Sequence, residues 1–476
     1  MSSEPPTPTD SPNTGDDKQP RVIGIAGGLA IVVGSMLGIG IFITPPQVAT
    51  HLPSIWLYLL AWVVGGIIAF SGAVAYAELG TRFPRAGGDY VFLREAFGPS
   101  LSFGAGWLLF VGVFTGSVAT MAVPLAEFQL PVLLAPVADI DPHQVLWSLG
   151  FLELTVARLV AIIVIAALTI LNILGTRFSA RAQVAFTGIP MAILAVAAIA
   201  IFFTMEPATL EIASPSEESF LVSFGRAVLA IYFAYAGWNA IAYVGGEMKS
   251  PGKTIPTSLL GGTAAITVLY LLLAAGFVFV LGIDGLQDVM EAGTATADAI
   301  AGSWTTWLVT VLIAVALVGS LNATILAGGR VGWAMARQDA LASSMGTLNS
   351  RFKTPDRALL LQGFLAVFFV LTGTFEMLLE LTGIAMFVMG ALTVAALFVI
   401  RKRDGHQAPY QATGYPWLPA LFIVISVVII AASIYRAGFG VDGFTAESIY
   451  PLAGLALFIV AAIGHWVIRR WCAPDS

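Results

Sequence analysis

Runs of roughly twenty apolar residues, separated by short polar breaks, recur along almost the whole chain. A run of that length crosses a bilayer core as a helix that satisfies its own backbone hydrogen bonds. The breaks divide the chain into about twelve spans, at 22–48, 56–80, 101–127, 158–175, 183–204, 221–245, 257–282, 304–329, 358–375, 378–400, 416–435 and 449–468. A composition of 58% hydrophobic and 11% charged residues lies outside the range of soluble domains. The expected fold class is an all-α integral membrane protein.

Lys and Arg are retained on the cytoplasmic side of a membrane. With the N-terminus inside, 19 of the 22 Lys and Arg residues fall in cytoplasmic segments, and only Arg158, Arg226 and Arg436 fall outside. A multi-pass protein of the plasma (inner) membrane with both termini cytoplasmic is expected. Residues 1–20 are rich in Pro, Ser, Thr and Asp, lack an apolar core, and predict a disordered tail rather than a cleaved signal.

Several classes of function fall away. The net charge is −6 and no basic stripe suggests a nucleic-acid partner. Cys472 is the single cysteine, and the four histidines, His51, His143, His406 and His465, are scattered, so neither a metal site nor a cofactor is expected. There is no HExxH, no GxSxG and no pair of intramembrane carboxylates or histidines for acid–base work, which argues against an enzyme.

The stretch GSMLGIGIFITPP, residues 34–46, lies in the middle of the first span. Each Gly costs about 1 kcal/mol against Ala in a helix interior, and Pro45 and Pro46 remove two amide donors. Such a loss is tolerable where a cavity or ligand meets the freed backbone groups. Close helix packing through Gly34 and Gly38, at the GxxxG spacing, explains the same residues about as well. A phosphate loop fits poorly, since no strand precedes it and no Lys-Ser/Thr follows. The sixth span carries a second irregular stretch, YFAYAGWNAIAYVGGEMKSPGKTIP. Interrupted helices at corresponding places in two halves point to a transporter with substrate bound at the breaks.

Four motifs then carry a family resemblance: GSMLGIGIF, AYAELGTRFPRAGGDYVFLREAFG, FAYAGWNAIAYVGGEMKSPGKTIP and GSLNATILAGGRVGWAMARQDAL. In order and spacing they resemble the amino acid, polyamine and organocation transporters, and within them the prokaryotic relatives of the L-type amino acid transporters. The resemblance implies the leucine-transporter fold, with spans 1–5 (21–205) and 6–10 (206–403) as inverted repeats, helices 1 and 6 broken, and two more spans in 404–476.

By that resemblance the backbone amides of Gly38, Ile39 and Gly40 are expected to bind the carboxylate of an amino acid substrate. The carbonyls of Met36 and Phe233, with Ala236 beside them, are expected to take its ammonium. Ile39 replaces a Ser found in several relatives. Phe233 resembles the family's outer aromatic gate, with ordinary aromatic packing as the alternative. Ser35, Trp238, Asn239 and Asn322 are candidate pocket residues, and Phe110, Phe114, Thr115 and Ser320 are weaker ones; Asn322-Ala-Thr324 matches a glycosylation sequon, but inside a span it reads better as a polar helix contact. No Asp or Glu occupies the middle of spans 1, 3, 6, 8 or 10, which favours a neutral amino acid.

Many relatives carry a Lys in the fifth span that serves as a cation or proton site, and Pro190 stands at that place here. Ser320 and Thr324 could supply a sodium ion, although hydroxyls bonding back to their own helix account for them as well. Exchange, which needs no coupling residue, is favoured over proton or sodium symport. A non-transporting amino acid sensor on the same scaffold is the alternative of a different class. Glu78, Arg82, Asp89, Glu247 and Lys249 could pair across the inner mouth. Residues 128–157 hold no Cys, so the disulfide-linked subunit of some animal relatives is not expected. Surface and internal small-residue patches look alike in a sequence, so no oligomeric state is assigned.

Overall fold

The computed structural model describes residues 21–135, 140–149, 152–204, 220–338, 340–372, 375–405, 407–439 and, between 456 and 467, all but 457 and 466. The expected tail 1–20, His406, Cys472 and much of the expected twelfth span lie outside the described residues.

Among the described residues, seven helices are long and apolar enough to cross a membrane: Ile55–Arg82, Pro99–Leu134, Val156–Ile173, Ala182–Phe203, Pro251–Gln287, Ser303–Ala336 and Thr382–Asp404. They fall on expected spans 2, 3, 4, 5, 7, 8 and 10. The first span is a bent pair, Ile25–Met36 and Gly40–His51, turned by 41°. Shorter helices, Phe220–Ala234, Asp356–Thr372 and Trp417–Phe439, fall on spans 6, 9 and 11. Span 6 is short as a helix because it unwinds after Ala234.

One element departs from the all-α expectation. Between spans 3 and 4, Val145–Leu149 and Leu152–Thr155 form an antiparallel hairpin, where the sequence suggested only a loop. Its second strand packs on spans 4 and 9 and leaves the order of the spans unchanged.

Lipid tails are as apolar as Leu, so helices associate through close packing and buried polar contacts rather than through the hydrophobic effect. Span 7 runs along span 2 and both halves of span 1, while span 8 packs on spans 1, 5 and 9. The broken first span is thereby held between span 7 on one side and spans 5 and 8 on the other.

The end that carries most of the basic residues is closed by backbone pairing and buried ions. The amides of Val22 and Ile23 both donate to the Glu247 carbonyl at 2.9 Å, and the Lys249 amide donates to Ile23 C=O at 2.8 Å. The Glu247 carboxylate accepts from Arg330 Nε at 2.8 Å, with both side chains buried. Thus Glu247 links the segment after span 6 to span 8. Glu78 accepts from Arg82 of its own helix, from Arg401 of span 10, and from the Ala412 amide at 2.7 Å. Asp89 bonds Tyr243, and the side chain of Lys249 is exposed.

Removing one member of a buried ion pair leaves an uncompensated charge, at a cost of about 3–5 kcal/mol. Glu247→Ala should therefore lower the thermal unfolding midpoint of the purified protein well below that of the parent. The double variant Glu247→Gln/Arg330→Met should recover most of the loss. Thermal unfolding of both variants in the same detergent checks this.

Candidate functional site

The first break follows from where the helical ladder stops. Leu37 leaves helical geometry at φ −73° and ψ 77°, and the chain becomes helical again at Gly40. Phe42 and Ile43 donate to the Ile39 carbonyl, so the amides of Ile39, Gly40 and Ile41 precede the first bonds of the new helix. The Gly38 amide instead donates to Met36 C=O at 2.8 Å. The open amides are therefore those of two expected residues, Ile39 and Gly40, plus Ile41, which the motif did not single out.

The two explanations of the glycines divide between them. A Cβ on Gly34 would lie 2.1 Å from Gln183 Nε2 and 2.3 Å from Thr187 Oγ1, so Gly34 is a packing glycine against span 5. A Cβ on Gly38 would find its nearest neighbour, Ser320 Oγ, at 3.4 Å. Gly40 meets the other broken span backbone to backbone, since its Cβ would fall 2.5 Å from Ala234 Cα.

The second break occupies residues 235–239, between Phe220–Ala234 and the short helix Ala240–Tyr243. Gly237 has φ +95°, and a Cβ there would lie 2.5 Å from the Ser35 carbonyl oxygen. Left-handed geometry and lack of space both demand Gly at this crossing. The two unwound segments touch at this point.

Freed carbonyls need donors. The Tyr270 hydroxyl, from span 7, lies within hydrogen-bond reach of Met36 C=O and of Ala234 C=O, so one side chain serves the ends of both broken helices. Ser320 Oγ donates to Ser35 C=O at 3.2 Å. Phe233 C=O accepts the Ala236 amide at 3.0 Å and retains a second lone pair. Met36 C=O, with both Tyr270 and Gly38 upon it, is filled.

A cavity of about 90 Å³ lies between the breaks. Of the expected residues, Ser35, Met36, Gly38, Ile39, Gly40, Phe233, Ala236, Trp238, Asn239, Ser320, Thr324 and Phe114 line it. Phe233 is half-buried on its wall. Trp238 is held by Tyr76 and Phe422, at 4.7 and 5.8 Å between ring centroids, so most of its ring is packing. Asn239 Nδ2 donates to Tyr243 Oη at 3.0 Å. Thr324 Oγ1 bonds back to Ser320 C=O at 2.9 Å, so the two hydroxyls considered for sodium each have a protein partner.

Contrary to expectation, the Gly38 amide and the Met36 carbonyl are taken by protein partners, and three candidate pocket residues do not line the cavity. Asn322 is off the cavity: it accepts from Asn172 and Ser179 and donates to Gln183 at 2.8 Å, in a buried amide network joining spans 4, 5 and 8. Phe110 and Thr115 also turn away. Residues 108–115 form a π-helical stretch in which Thr115 Oγ1 bonds the Phe110 carbonyl, and the wider turn rotates both residues out of register with the cavity. Phe110 packs instead against Gly332 of span 8. Pro190 is buried in span 5 but does not line the cavity.

Further lining comes from residues the sequence did not mark for the cavity, Asp89 having been read only as part of the inner mouth. Ser117 and Met121 lie on span 3, Met386 and Met389 on span 10, and Asp89 on the segment between spans 2 and 3. Ser35 Oγ and Ser117 Oγ are buried without a protein partner, the state of a hydroxyl that meets a ligand. Among the described residues no group of three His, Cys, Asp or Glu could hold a metal.

Two glycine variants separate packing from cavity. Gly40→Ala forces the halves apart, an overpacking that costs about 1–3 kcal/mol, whereas Gly38→Ala adds a methyl at ordinary contact distance. Thermal unfolding should therefore show a clear loss for Gly40→Ala and little change for Gly38→Ala. Tyr270→Phe orphans a buried carbonyl, with an expected loss of about 1–3 kcal/mol in the same assay.

The sequence matches the amino acid permease family over residues 25–462. It is 28% identical over 426 residues to the serine/threonine exchanger SteT of Bacillus subtilis, covering 89% of this chain and 93% of that protein. It is 27% identical over 418 residues to the mouse b(0,+)-type amino acid transporter 1, covering 87% and 82%. It is 27% identical over 391 residues to the mouse large neutral amino acids transporter small subunit 2, covering 80% and 70%. A match over nearly the whole chain, joined to two facing helix breaks around a cavity, places this protein in the amino acid permease family of the APC superfamily: it is a membrane transporter and not an enzyme.

Proposed function

We propose that the protein carries neutral L-amino acids across the plasma membrane by alternating access, and that it works as an exchanger. The observation that supports this most is the contact of two unwound segments, one with open amides and one with carbonyls that retain accepting capacity. An α-amino acid presents a carboxylate and an ammonium a few Å apart. The amides of Ile39, Gly40 and Ile41, at a helix N-terminus with its partial positive charge, suit the carboxylate. The carbonyls of Phe233 and Ala236 suit the ammonium, and the Ser35 hydroxyl can serve either group.

The side chain of the substrate would face Val113, Phe114, Met121, Met386 and Met389, an apolar wall that favours neutral substrates. Two of the similar proteins carry "serine/threonine exchanger" and "large neutral amino acids transporter" in their names, which agrees in kind. Phe233 acts as the outer gate in this proposal. Exchange is preferred because Pro190 offers no charge and the Ser320 and Thr324 hydroxyls are bonded within the protein.

The bundle of spans 1, 2, 6 and 7 rocks against the rest, the two five-span halves 21–205 and 206–403 being inverted repeats. Both termini face the cytoplasm. No disulfide to a second subunit forms in 128–157, which lacks Cys.

Uptake of labelled amino acids into proteoliposomes tests the proposal. Neutral amino acids should enter only vesicles preloaded with amino acid, whatever proton or sodium gradient is imposed. Gradient-driven entry into empty vesicles would establish symport instead, and binding without flux would establish a sensor. Phe233→Ala should slow exchange by more than tenfold while weakening equilibrium binding less, and equal losses would reduce Phe233 to packing. Gly38→Leu should abolish binding in folded protein, because its side chain projects toward Ser320 in the cavity.

A further inference from the structure

Asp89 is the one carboxylate among the described residues lining the cavity, and nothing in the transport scheme above uses it. It is 1% exposed and opens the helix Asp89–Phe97, outside the membrane-spanning helices. Its Oδ2 accepts a 2.6 Å bond from the Tyr243 hydroxyl, which in turn accepts from Asn239. Its Oδ1 has no hydrogen-bond partner. The Tyr76 hydroxyl and Thr393 Oγ1, both acting on Asp89, are buried without geometric partners as well. Either hydroxyl could donate to an ionised Oδ1 or accept from a protonated one, so this cluster can hold Asp89 in both states and the surroundings decide which is favoured.

The surroundings decide between a proton and a cation. The groups facing Asp89 are Tyr76 from span 2, Tyr232 and Tyr243 from span 6, and Thr393 from span 10, with no cation among them. Arg330 of span 8 is committed to Glu247, and Arg401 of span 10 to Glu78. A buried carboxylate with no cation favours its neutral form, and desolvation raises Asp89 from the usual 3.8 to about 6.

The position of Asp89 ties this chemistry to the inner mouth. The Gly87 amide donates to Tyr243 C=O at 3.0 Å, and Ala86 bridges to Val244. A Cβ on Gly88 would lie 2.5 Å from the Tyr243 ring, so this turn is pressed flat on the segment after the sixth-span break. Separating the two segments to open the mouth takes the Tyr243 hydroxyl away from Asp89 and admits water.

We propose that Asp89 holds a proton while the inner mouth is closed and releases it when the mouth opens, so that closure of this mouth depends on pH. The proton comes from water onto Oδ1, which then donates to the hydroxyl of Tyr76 or Thr393, and it returns to water on opening. A raised closed-state value means that the preference for closure is complete in acid and is lost as pH rises through about 6. With an ordinary aspartate value in the open form, closure is favoured about tenfold more at pH 5.0 than at pH 7.5.

Hydrogen exchange of segments 86–92 and 244–249 in the full-length protein, corrected for the chemical exchange rate, reads this closure without any substrate. Its functional meaning rests on the alternating-access proposal, but the measurement does not, so failure of transport and failure of this inference remain distinct. Protection in the parent should be about tenfold greater at pH 5.0 than at pH 7.5. Asp89→Asn, a mimic of the neutral acid, should be protected at both. Thr393→Val, which removes a hydroxyl that stabilises the charged form, should move the midpoint to higher pH. Equal protection of the parent at both pH values would overturn the proposal, as would a pH dependence that survives in Asp89→Asn or an unmoved midpoint in Thr393→Val.

Discussion

The structure depends on how a backbone that has left its helix inside a membrane is satisfied. At residues 37–39 and 235–239 the chain gives up i→i−4 bonds where no bulk water can replace them. Tyr270 meets carbonyls at the ends of both broken helices, Ser320 meets Ser35, and local turns meet Met36 and Phe233. What these donors leave unmet is the first turn of the helix Gly40–His51. The proposed binding site is thus the place where these backbone hydrogen bonds are left open.

The same crossing sets the sequence requirements. Gly40 and Gly237 are needed because each unwound segment lies against the backbone of the other, and Gly34 because span 5 comes as near on the opposite side. Span 5 in turn reaches span 8 through Gln183 and Asn322, and its Thr187 hydroxyl donates to Ala30 C=O at 3.3 Å. The half-helix Ile25–Met36 is therefore held by polar contacts from a neighbouring helix, and in the proposed cycle opening the inner mouth exchanges those contacts for others. The buried Glu247–Arg330 pair adds a charge-assisted closure on the same side.

How much of this was legible depended on where each signal lives. Backbone breaks are written locally, in Gly, Pro and Asn placed inside apolar runs, and both breaks were visible. Orientation-dependent features were not. Phe110 and Thr115 were weak candidates whose facing the sequence left open, and the π-helical stretch they lie in is announced by no residue type. Asn322 was read both as a candidate pocket residue and as a polar contact between helices, and the structure shows the second, with Gln183 on another helix as partner. Tyr270 carries no local mark at all, since a Tyr in an apolar span is ordinary until its hydroxyl is seen on Met36 and Ala234. Asp89 was missed as a cavity residue because the search for intramembrane carboxylates stopped at the span ends, while the turn at Gly87 and Gly88 folds it back inward.

The central claim is that the two facing breaks are the substrate site, and an experimental structure of the protein with a bound neutral amino acid tests it most directly. The account predicts the substrate carboxylate within hydrogen-bond distance of the Ile39, Gly40 and Ile41 amides, with its ammonium toward the Phe233 and Ala236 carbonyls. A substrate bound elsewhere, with those amides turned to water or to protein, would contradict it.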